Sequence, residues 1–338
     1  MSLQDELVKI KKQQFKPIYT VIGTETFLIE TFKKQLKSSI SSETEDEFNI
    51  ITFDMTEVEL SSVIYEAETV PFFGDYKVIF VENPYFLTGE KKKNELNHDL
   101  SLLLAYLENP LSTSIIVFVA SYEKLDERKK VVKLLKKESQ LVDVSKMTDK
   151  TLIPYVKQHI ENEGYSIDKQ AFERLTYLTD MDLTRIMNEL EKLFLLTLSS
   201  KNITKNDVES LIPKSLEHNI FDLNQYVIGN KTDEALNLYH DLLVSGEETI
   251  KIISILLGQI RLLLQVKILL DMNYQQSNIT DTLKIHPYRV KLAVQQCKSL
   301  SFKQLGEMFD ELIEMDFNIK TGKIEKELAF ELFLLKKR

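Results

Sequence analysis

Short apolar segments alternate with longer amphipathic ones over the first 144 residues of the chain. The short segments are rich in β-branched and aromatic residues, and three of them are apolar at nearly every position, as strands covered on both faces must be. A longer segment places Leu28, Phe32, Leu36 and Ile40 at helical spacing. This alternation predicts a parallel sheet with crossover helices. The predicted strands are 18–22, 50–53, 77–81, 115–119 and 141–144.

C-terminal to the predicted sheet the β-branched runs disappear, and helix-start signals recur without strands between them. Asp149 and Asp168 are each placed to cap a helix. Residues 204–207 have the spacing of a capping box, in which two side chains at a helix start bond each other's backbone. Beyond Pro213 about five helices are expected, one of them the long apolar stretch 250–270.

These patterns predict an α/β plus all-α protein of three domains. The α/β domain with the parallel sheet is expected over 1–145, a small helical domain over 146–212 and a helical C-terminal domain over 213–338. A chain of 338 residues is long enough for several cores. With 9 glycines and 7 prolines, it is expected to be rich in helix and to have short connections.

The glycines exclude two common nucleotide-binding loops. Gly23 follows the first predicted strand, where a phosphate-binding loop would begin. Such a loop needs a second glycine five residues later and then Lys and a hydroxyl residue, but Leu28, Ile29 and Glu30 stand there. Because no two glycines are closer than 12 residues, a dinucleotide fingerprint is excluded as well. We therefore predict no cofactor, although another kind of nucleotide site stays open.

Residues with catalytic or metal-binding chemistry do not cluster along the sequence. Glu82 ends the third predicted strand, where an ATPase of this topology carries acidic residues for magnesium, but one carboxylate before a turn is also an ordinary strand end. The 5 histidines never fall at metal-ligand spacing, and Cys297 lies within a helical pattern. We therefore predict no catalytic residue and no metal site.

Charge and composition narrow the possible partners and compartments. The net charge of −9 repels phosphate at long range, so tight DNA binding by this chain alone would need a local basic patch. The single cysteine excludes an internal disulfide and any multi-cysteine zinc module. Residues 1–6 do not resemble a signal peptide, and Lys251 and Arg261 interrupt the longest apolar stretch. We expect a cytoplasmic protein without a membrane span.

One apolar segment lies where a surface turn is expected. Residues 69–75, TVPFFGD, connect a helical run to the third predicted strand. The adjacent residues Phe72 and Phe73 cannot both point into one core from a helix end, because neighbouring side chains there diverge by about 100°. Exposed paired aromatics would serve as anchors in a partner's pocket. The alternative is ordinary core packing, and the residues alone leave both possibilities open.

Several segments carry a similarity to one family. They include PIYTVIG at 17–23, PFFGD at 71–75, VIFVENP at 78–84, NELEKL at 188–193 and GQIRLL at 258–263. Further matching positions are Glu25, 27–30, 182–183, 219–223, 235–236, 242–243, 246–248 and the rest of 252–264. Together, and in this order, they resemble the delta subunit family of the bacterial DNA polymerase III clamp loader. The similarity covers essentially the whole chain and is therefore more specific than any single motif.

The resemblance implies an AAA+ type α/β domain, a small helical lid domain and a helical collar domain. It also implies that ATP binding has been lost and that the chain is not an enzyme by itself. By position, the clamp-binding role of the family falls on Phe72 and Phe73, and with them on Val70 and Pro71. These residues are implied to enter the hydrophobic pocket of the beta sliding clamp and to loosen one interface of the ring for loading onto primed DNA in replication.

The resemblance also implies the other partners. These are the tau/gamma and delta prime subunits, bound through the collar, and primer-template DNA in the assembled complex. Lysine-rich runs at 91–93, 129–137 and 336–338 are candidates to face DNA, and solvated helix faces are the alternative.

Two other functions compete with this interpretation. An active AAA+ ATPase or a different loader subunit would carry a phosphate loop, a four-cysteine zinc module or a Ser-Arg-Cys finger, and the sequence has none of them. A helical scaffold or other AAA+ related assembly protein that does not bind the clamp would place Phe72 and Phe73 in its core.

Overall fold

The computed structural model describes residues 3–40, 49–72, 74–89, 96–285, 287–298 and 300–336. Its contacts divide the chain into two compact units. Unit 1 comprises Met1–Ile167 and Met181–Asn202, and unit 2 comprises Asp168–Asp180 and Ile203–Arg338. The three-domain division stays a prediction, because the contacts alone define these two units.

Five strands form the sheet of unit 1, and they lie where the apolar runs predict them. They are β1 (Ile18–Ile22), β2 (Ile50–Asp54), β3 (Lys77–Glu82), β4 (Ser114–Ala120) and β5 (Gln140–Asp143). The strand order is β2-β3-β4-β1-β5, and all neighbouring strands are parallel. Ile116 of β4 lies opposite Ile18 of β1 on one side and Ile79 of β3 on the other.

The strands are apolar at successive positions because both faces of the sheet are covered. β4 is buried along its whole length. Its residues Ile116 and Phe118 belong to one core cluster, while Tyr19 of β1 lies outside that cluster with its ring centroid 5.4 Å from that of Phe32. The covering helices are α1 (Leu3–Lys11), α2 (Thr26–Ile40), α3 (Leu60–Ala67), α4 (Leu100–Glu108) and α5 (Lys130–Glu138).

Helix α1 is an element that the hydrophobic pattern did not predict. Its buried residues are Leu3, Glu6 and Ile10. Leu3, Leu7 and Ile10 have helical spacing, but a segment of 9 residues is shorter than the window in which such a period is recognised. The buried Glu6 carboxylate is paired with Lys9 at 3.1 Å.

The rest of unit 1 corrects two expectations. Asp149 is the first residue of α6 (Asp149–Asn162) rather than its cap, and Thr148 occupies the N-cap position. An acidic residue in the first turn still interacts favourably with the positive end of the helix dipole. A two-stranded sheet of β6 (Ser166–Ile167) and β7 (Asn202–Ile203) lies where no strand was expected, because two residues cannot show an alternating pattern. Unit 1 contains one more helix, α8 (Leu183–Leu196). Helix α7, which precedes it in the chain, belongs to unit 2.

Unit 2 is helical. After Pro213 the described residues contain seven helices rather than about five. Two of them are short and separated near Lys284, whose φ of 52° ends the first. That first helix is polar, with Ile279 and Leu283 as its apolar residues, so its sequence shows no clear period. The predicted capping box at Thr204 and Asp207 is confirmed. The helices of unit 2 are α7 (Lys169–Leu178), α9 (Lys205–Leu211), α10 (Leu216–Ile228), α11 (Thr232–Val244), α12 (Thr249–Asp271), α13 (Gln276–Leu283), α14 (Pro287–Cys297), α15 (Phe302–Lys320) and α16 (Lys326–Leu335).

Helix α12 is the core helix of unit 2. Its 23 residues are long and apolar enough to cross a membrane by length and composition. Ile252, Leu256, Ile260 and Leu263 are nevertheless buried in the same core as residues of the surrounding helices. This packing explains the apolar composition, since the core helix of a bundle needs the same residues.

Gly23 lies at the end of β1, where the backbone approaches the segment after β5. Its φ is +135°, and a Cβ atom there would lie 2.2 Å from the backbone carbonyl carbon of Val144. Neither the dihedral angle nor the space admits a side chain. Gly258 is the opposite case, because it lies within α12 with nothing within 4 Å of the position that a Cβ atom would occupy.

We expect Gly23→Ala to lower the free energy of unfolding by at least about 2 kcal/mol, because backbone must move to admit the methyl group. The matched substitution Gly258→Ala should raise it by about 0.5–1 kcal/mol, since Ala is the better helix former. Urea denaturation followed by circular dichroism measures both. An unchanged midpoint for Gly23→Ala would contradict the close approach.

Candidate functional site

The segment of residues 69–72, called here the exposed segment, presents apolar side chains to solvent. Val70 is 75% exposed and Phe72 is 73% exposed. Pro71 is partly buried between them. Phe73, the fourth candidate residue, lies outside the described residues. The structure therefore places Val70, Pro71 and Phe72 together at the end of α3.

The exposed segment exists because α3 ends where it does. Leu60, Val63, Ile64 and Ala67 form the buried stripe of this helix, with the spacing of one helical face. The following Pro71 cannot continue a helix and disfavours helical geometry in the residue before it. The chain thus leaves the core after the last turn of α3, and its next apolar residues have no core beneath them.

Tyr65 adds a further exposed aromatic residue that the sequence reasoning missed. It is 72% exposed and lies on α3 between the buried Ile64 and the polar Glu66. Its position outside the i, i+3, i+4, i+7 stripe was the signal that could have identified it. An aromatic side chain on the polar face of a short helix is a candidate contact residue.

The loop after β1 is closed by hydrogen bonds within the chain. The backbone N–H of Gly23 donates to the carbonyl oxygen of Ala120 at 3.2 Å. That of Glu25 donates to the carbonyl oxygen of Val144 at 3.0 Å. In a phosphate-binding loop the backbone amides point at the ligand. Here two of them already have partners in the protein.

The side chain of Glu25 fills the same region. It is buried, and the hydroxyl of Thr184 donates to its Oε1 at 3.0 Å. Burial raises the pKa of Glu25, and the Thr184 hydrogen bond and the nearby Lys146 partly oppose that shift. A buried carboxylate at this loop repels phosphate, whose charge has the same sign.

The carboxylate at the end of β3 has a structural role. Glu82 is ion-paired with Lys33 of α2 at 2.8 Å, and Lys33 also contacts Glu30 at 3.0 Å. The adjacent Asn83 has a φ of 51°, and its side-chain amide donates to Asp54 at 2.8 Å. These contacts join the ends of β2 and β3 and agree with the interpretation of Glu82 as an ordinary strand end.

One cluster in unit 2 has the residue types of a catalytic relay. The hydroxyl of Ser215 lies 2.9 Å from Nδ1 of His218, and Nε2 of His218 lies 3.2 Å from Asp180. The same hydroxyl accepts the backbone N–H of His218 at 3.3 Å in the capping box of α10. The cluster therefore stabilises a helix start. Among the described residues, no three His, Cys, Asp or Glu side chains are grouped to hold a metal ion.

Several lysines of the run at 129–137 contact local partners. Lys136 is paired with Glu127 at 2.5 Å, and Lys137 with Glu138 at 2.7 Å. Lys129 donates to the carbonyl oxygen of Phe86 at 2.9 Å. The run at 91–93 and the last two residues of the run at 336–338 lie outside the described residues. The α5 lysines thus favour the interpretation of a solvated helix face.

Comparisons with known protein families cover the chain in three parts. A family model described as the DNA polymerase III delta subunit matches residues 19–145. A model described as the C-terminal domain of the same subunit matches residues 217–337. A model described as a middle domain matches residues 148–210.

Individual proteins show the same similarity. The chain is 38% identical over 326 residues to DNA polymerase III subunit delta of Bacillus subtilis (strain 168), covering 96% of this chain and 94% of that protein. It is 22% identical over 244 residues to the probable DNA polymerase III subunit delta of Aquifex aeolicus (strain VF5), covering 71% and 67%. The solved structure of the Bacillus subtilis DNA clamp loader delta protein matches with a TM-score of 0.68 and 37% identity over 98% of both chains.

The parallel five-stranded sheet and the many helices that follow it define an α/β plus helical protein. This confirms the predicted fold class. This chain is 38% identical to a delta subunit over 96% of its own residues, and it therefore belongs to the DNA polymerase III delta subunit family. The resemblance seen in the sequence is confirmed.

The buried Glu25 carboxylate should make stability depend on pH. Because burial raises its pKa in the folded chain, the stability linked to its protonated form is present below the ordinary pKa of Glu and is lost as pH rises through the raised value. We expect Glu25→Gln to raise the urea midpoint at about pH 7 and to leave it nearly unchanged at about pH 4. The opposite order of the two differences would contradict the desolvated state of this carboxylate.

Proposed function

We propose that this chain serves as the delta subunit of the DNA polymerase III clamp loader. In this function it binds the beta sliding clamp through Val70, Pro71, Phe72 and Phe73 and opens the ring for loading onto primed DNA. The observation that carries the proposal is the exposure of Val70 and Phe72 at the end of α3. Membership of the delta subunit family supports it.

Apolar anchors of this size can supply a useful binding energy. Burying one Phe and one Val side chain contributes roughly 3–6 kcal/mol before association costs are subtracted. Such residues concentrate interface energy when they enter a preformed pocket. An aromatic and a β-branched residue two positions apart on a short, stiff segment suit a hydrophobic pocket on the clamp.

Clamp opening requires differential affinity. A closed ring is in equilibrium with forms in which one interface is loosened, and a ligand shifts that equilibrium only if it binds the loosened form more tightly. In this proposal the exposed segment binds the loosened clamp more tightly than the closed one. The step needs no ATP at this chain.

The chain is proposed to lack enzymatic activity of its own. The closed loop after β1 and the buried carboxylate of Glu25 support this, because they occupy the region where an ATPase of this fold would bind phosphates. ATP would act on the other subunits of the loader. A cytoplasmic location follows from the proposed role in DNA replication.

The helical region 213–338 is proposed as the collar that joins the tau/gamma and delta prime subunits. Helices α15 and α16 support this, since several of their apolar side chains are about half exposed. These residues are Phe302, Ile313, Phe317, Leu328, Leu332 and Leu335. The proposal keeps the three-domain division and includes contact with primer-template DNA only within the assembled loader, because the net charge of this chain is −9.

The competing scaffold function has less support. It placed Phe72 in a core, whereas Phe72 is largely exposed. A scaffold that used the exposed segment to bind a different partner would show no affinity for the sliding clamp.

We expect Phe72→Ala to weaken binding to the cognate sliding clamp by about 10- to 100-fold, the loss of one buried aromatic anchor. Adding Phe73→Ala should abolish binding in a chain that remains folded. Surface plasmon resonance over immobilised clamp, without ATP, measures both.

The matched control is Leu195→Ala, because Leu195 is an equally exposed apolar residue of unit 1 on a different helix. Its affinity for the clamp should equal that of the wild type. Undiminished binding by the Phe72 variants would move the clamp site elsewhere, and no binding by the folded wild type would remove the main support for the proposed function.

We also expect ATP and magnesium to leave the clamp affinity of the isolated chain unchanged and to give no saturable binding of a fluorescent ATP analogue. The physical reason is the closure of the loop after β1 by the Gly23 and Glu25 amides. Saturable nucleotide binding at this chain, measured by fluorescence anisotropy, would overturn the non-enzymatic part of the proposal.

A further inference from the structure

We propose that Lys77 is a positioning residue for clamp binding, because its buried ammonium group holds the end of α3 and thereby orients the exposed segment. The inference rests on the proposed function and adds a residue to it. Lys77 is the first residue of β3 and is 2% exposed, although lysine is rarely buried to this extent.

The ammonium group of Lys77 has three partners, which lie in the last turn of α3 and at the start of the exposed segment. Its Nζ donates to the backbone carbonyl oxygen of Glu66, to Oε1 of Glu66 at 2.9 Å and to the hydroxyl oxygen of Thr69 at 2.5 Å. An ammonium group has three donors, so these contacts use its full capacity. The desolvation of a buried charge is thereby compensated.

The position suits a cation. The last carbonyl groups of a helix lack partners within the helix, and the C-terminal end carries partial negative charge. Lys77 supplies a positive charge to this end of α3. Its own backbone is fixed by the sheet, because its N–H donates to the carbonyl oxygen of Thr113 at 3.0 Å and Lys77 lies opposite Ser114 of β4. Lys77 therefore holds the C-terminal end of α3 at a fixed position relative to β3.

A second buried polar side chain contacts the other end of the exposed segment. Oδ1 of Asn49 accepts the backbone N–H of Phe72 at 3.1 Å, and Asn49 is itself buried immediately before β2. Lys77 and Asn49 thus contact residues at both ends of the segment 66–72. Lys77 attaches it to β3 and Asn49 to the residue before β2, and the side chains of Val70 and Phe72 stay exposed.

This arrangement has a functional consequence. An exposed apolar segment without fixed backbone would populate many conformations, and the apparent affinity for a partner falls in proportion to the fraction that can bind. Anchoring both ends keeps the segment in one conformation before the clamp arrives. Lys77 is thus expected to act through Val70 and Phe72 and not to touch the clamp.

The test uses Lys77→Met, which keeps an unbranched apolar stem and removes the three donors. Glu66 is partly exposed, so its carboxylate can return to water in this variant. In the free chain we expect faster hydrogen exchange at the amides of Glu68, Thr69 and Phe72, with the exchange of β4 amides unchanged. Unchanged exchange at those three amides would overturn the anchoring role without any reference to the clamp.

In the clamp-binding assay we expect Lys77→Met to raise the Kd by about tenfold, as follows from a competent fraction reduced to about one tenth. The control is Val132→Ala, a buried residue of α5 in the same core as the buried stripe of α3, which tests for a general loosening of unit 1. It should leave the Kd unchanged. An equal loss of affinity in both variants would show a general effect of stability and overturn the inference.

A double-mutant comparison separates positioning from direct contact. In a Phe72→Leu background, which retains an apolar anchor, Lys77→Met should have a smaller effect than in the wild type, because its contribution passes through the anchor. Additive effects would contradict this. If wild type and variant bind the clamp equally, the inference fails and the proposed function stands; if the folded wild type does not bind, the proposed function fails and the exchange measurement still decides the anchoring role.

Discussion

Coverage of the parallel sheet on both faces is the constraint on which unit 1 depends. Strands β1, β3 and β4 are apolar at consecutive positions, so each face must be covered by helices. Helix α3 meets this need with one buried stripe that joins the same core as Ile79 and Phe118. When that stripe ends at Ala67, the chain leaves the core, and the apolar residues that follow face solvent. The exposed segment therefore follows the point at which α3 no longer covers the sheet.

The same fold gives the loop after β1 a different role from the one it has in nucleotide-binding proteins. Gly23 allows the loop to approach the segment after β5 closely, and its hydrogen bonds join the ends of strands. Glu25 and the partly buried Thr184 form a hydrogen-bonded pair beside this loop. The polar groups that would serve a phosphate stabilise the fold instead. The proposed function therefore rests on exposed apolar residues of the segment after α3 and of α15 and α16.

The sequence predicts the parts of this structure that follow from strong local patterns. The five strands of the large sheet are marked by short apolar runs, the capping box at Thr204 by its residue spacing, and the core helix around Ile260 by its long apolar stretch. Helix α1, the two-residue strands β6 and β7 and the short polar helix α13 are too short for a hydrophobic pattern to be recognised. The contacts of Lys77 with Glu66 and Thr69 depend on tertiary structure, because nothing in the sequence marks a lysine at the start of a strand as buried. The exposure of Phe72 depends on tertiary structure in the same way.

The most direct test of the central claim is site-specific photo-crosslinking from the exposed segment. A benzophenone amino acid is placed at Phe72, and at Leu195 as the matched exposed position of unit 1. After irradiation with the cognate sliding clamp, the expected result is a crosslink from position 72 that excess unmodified chain competes away, and none from position 195. A chain that binds the clamp but crosslinks to it only from position 195, or from neither position, would contradict the account.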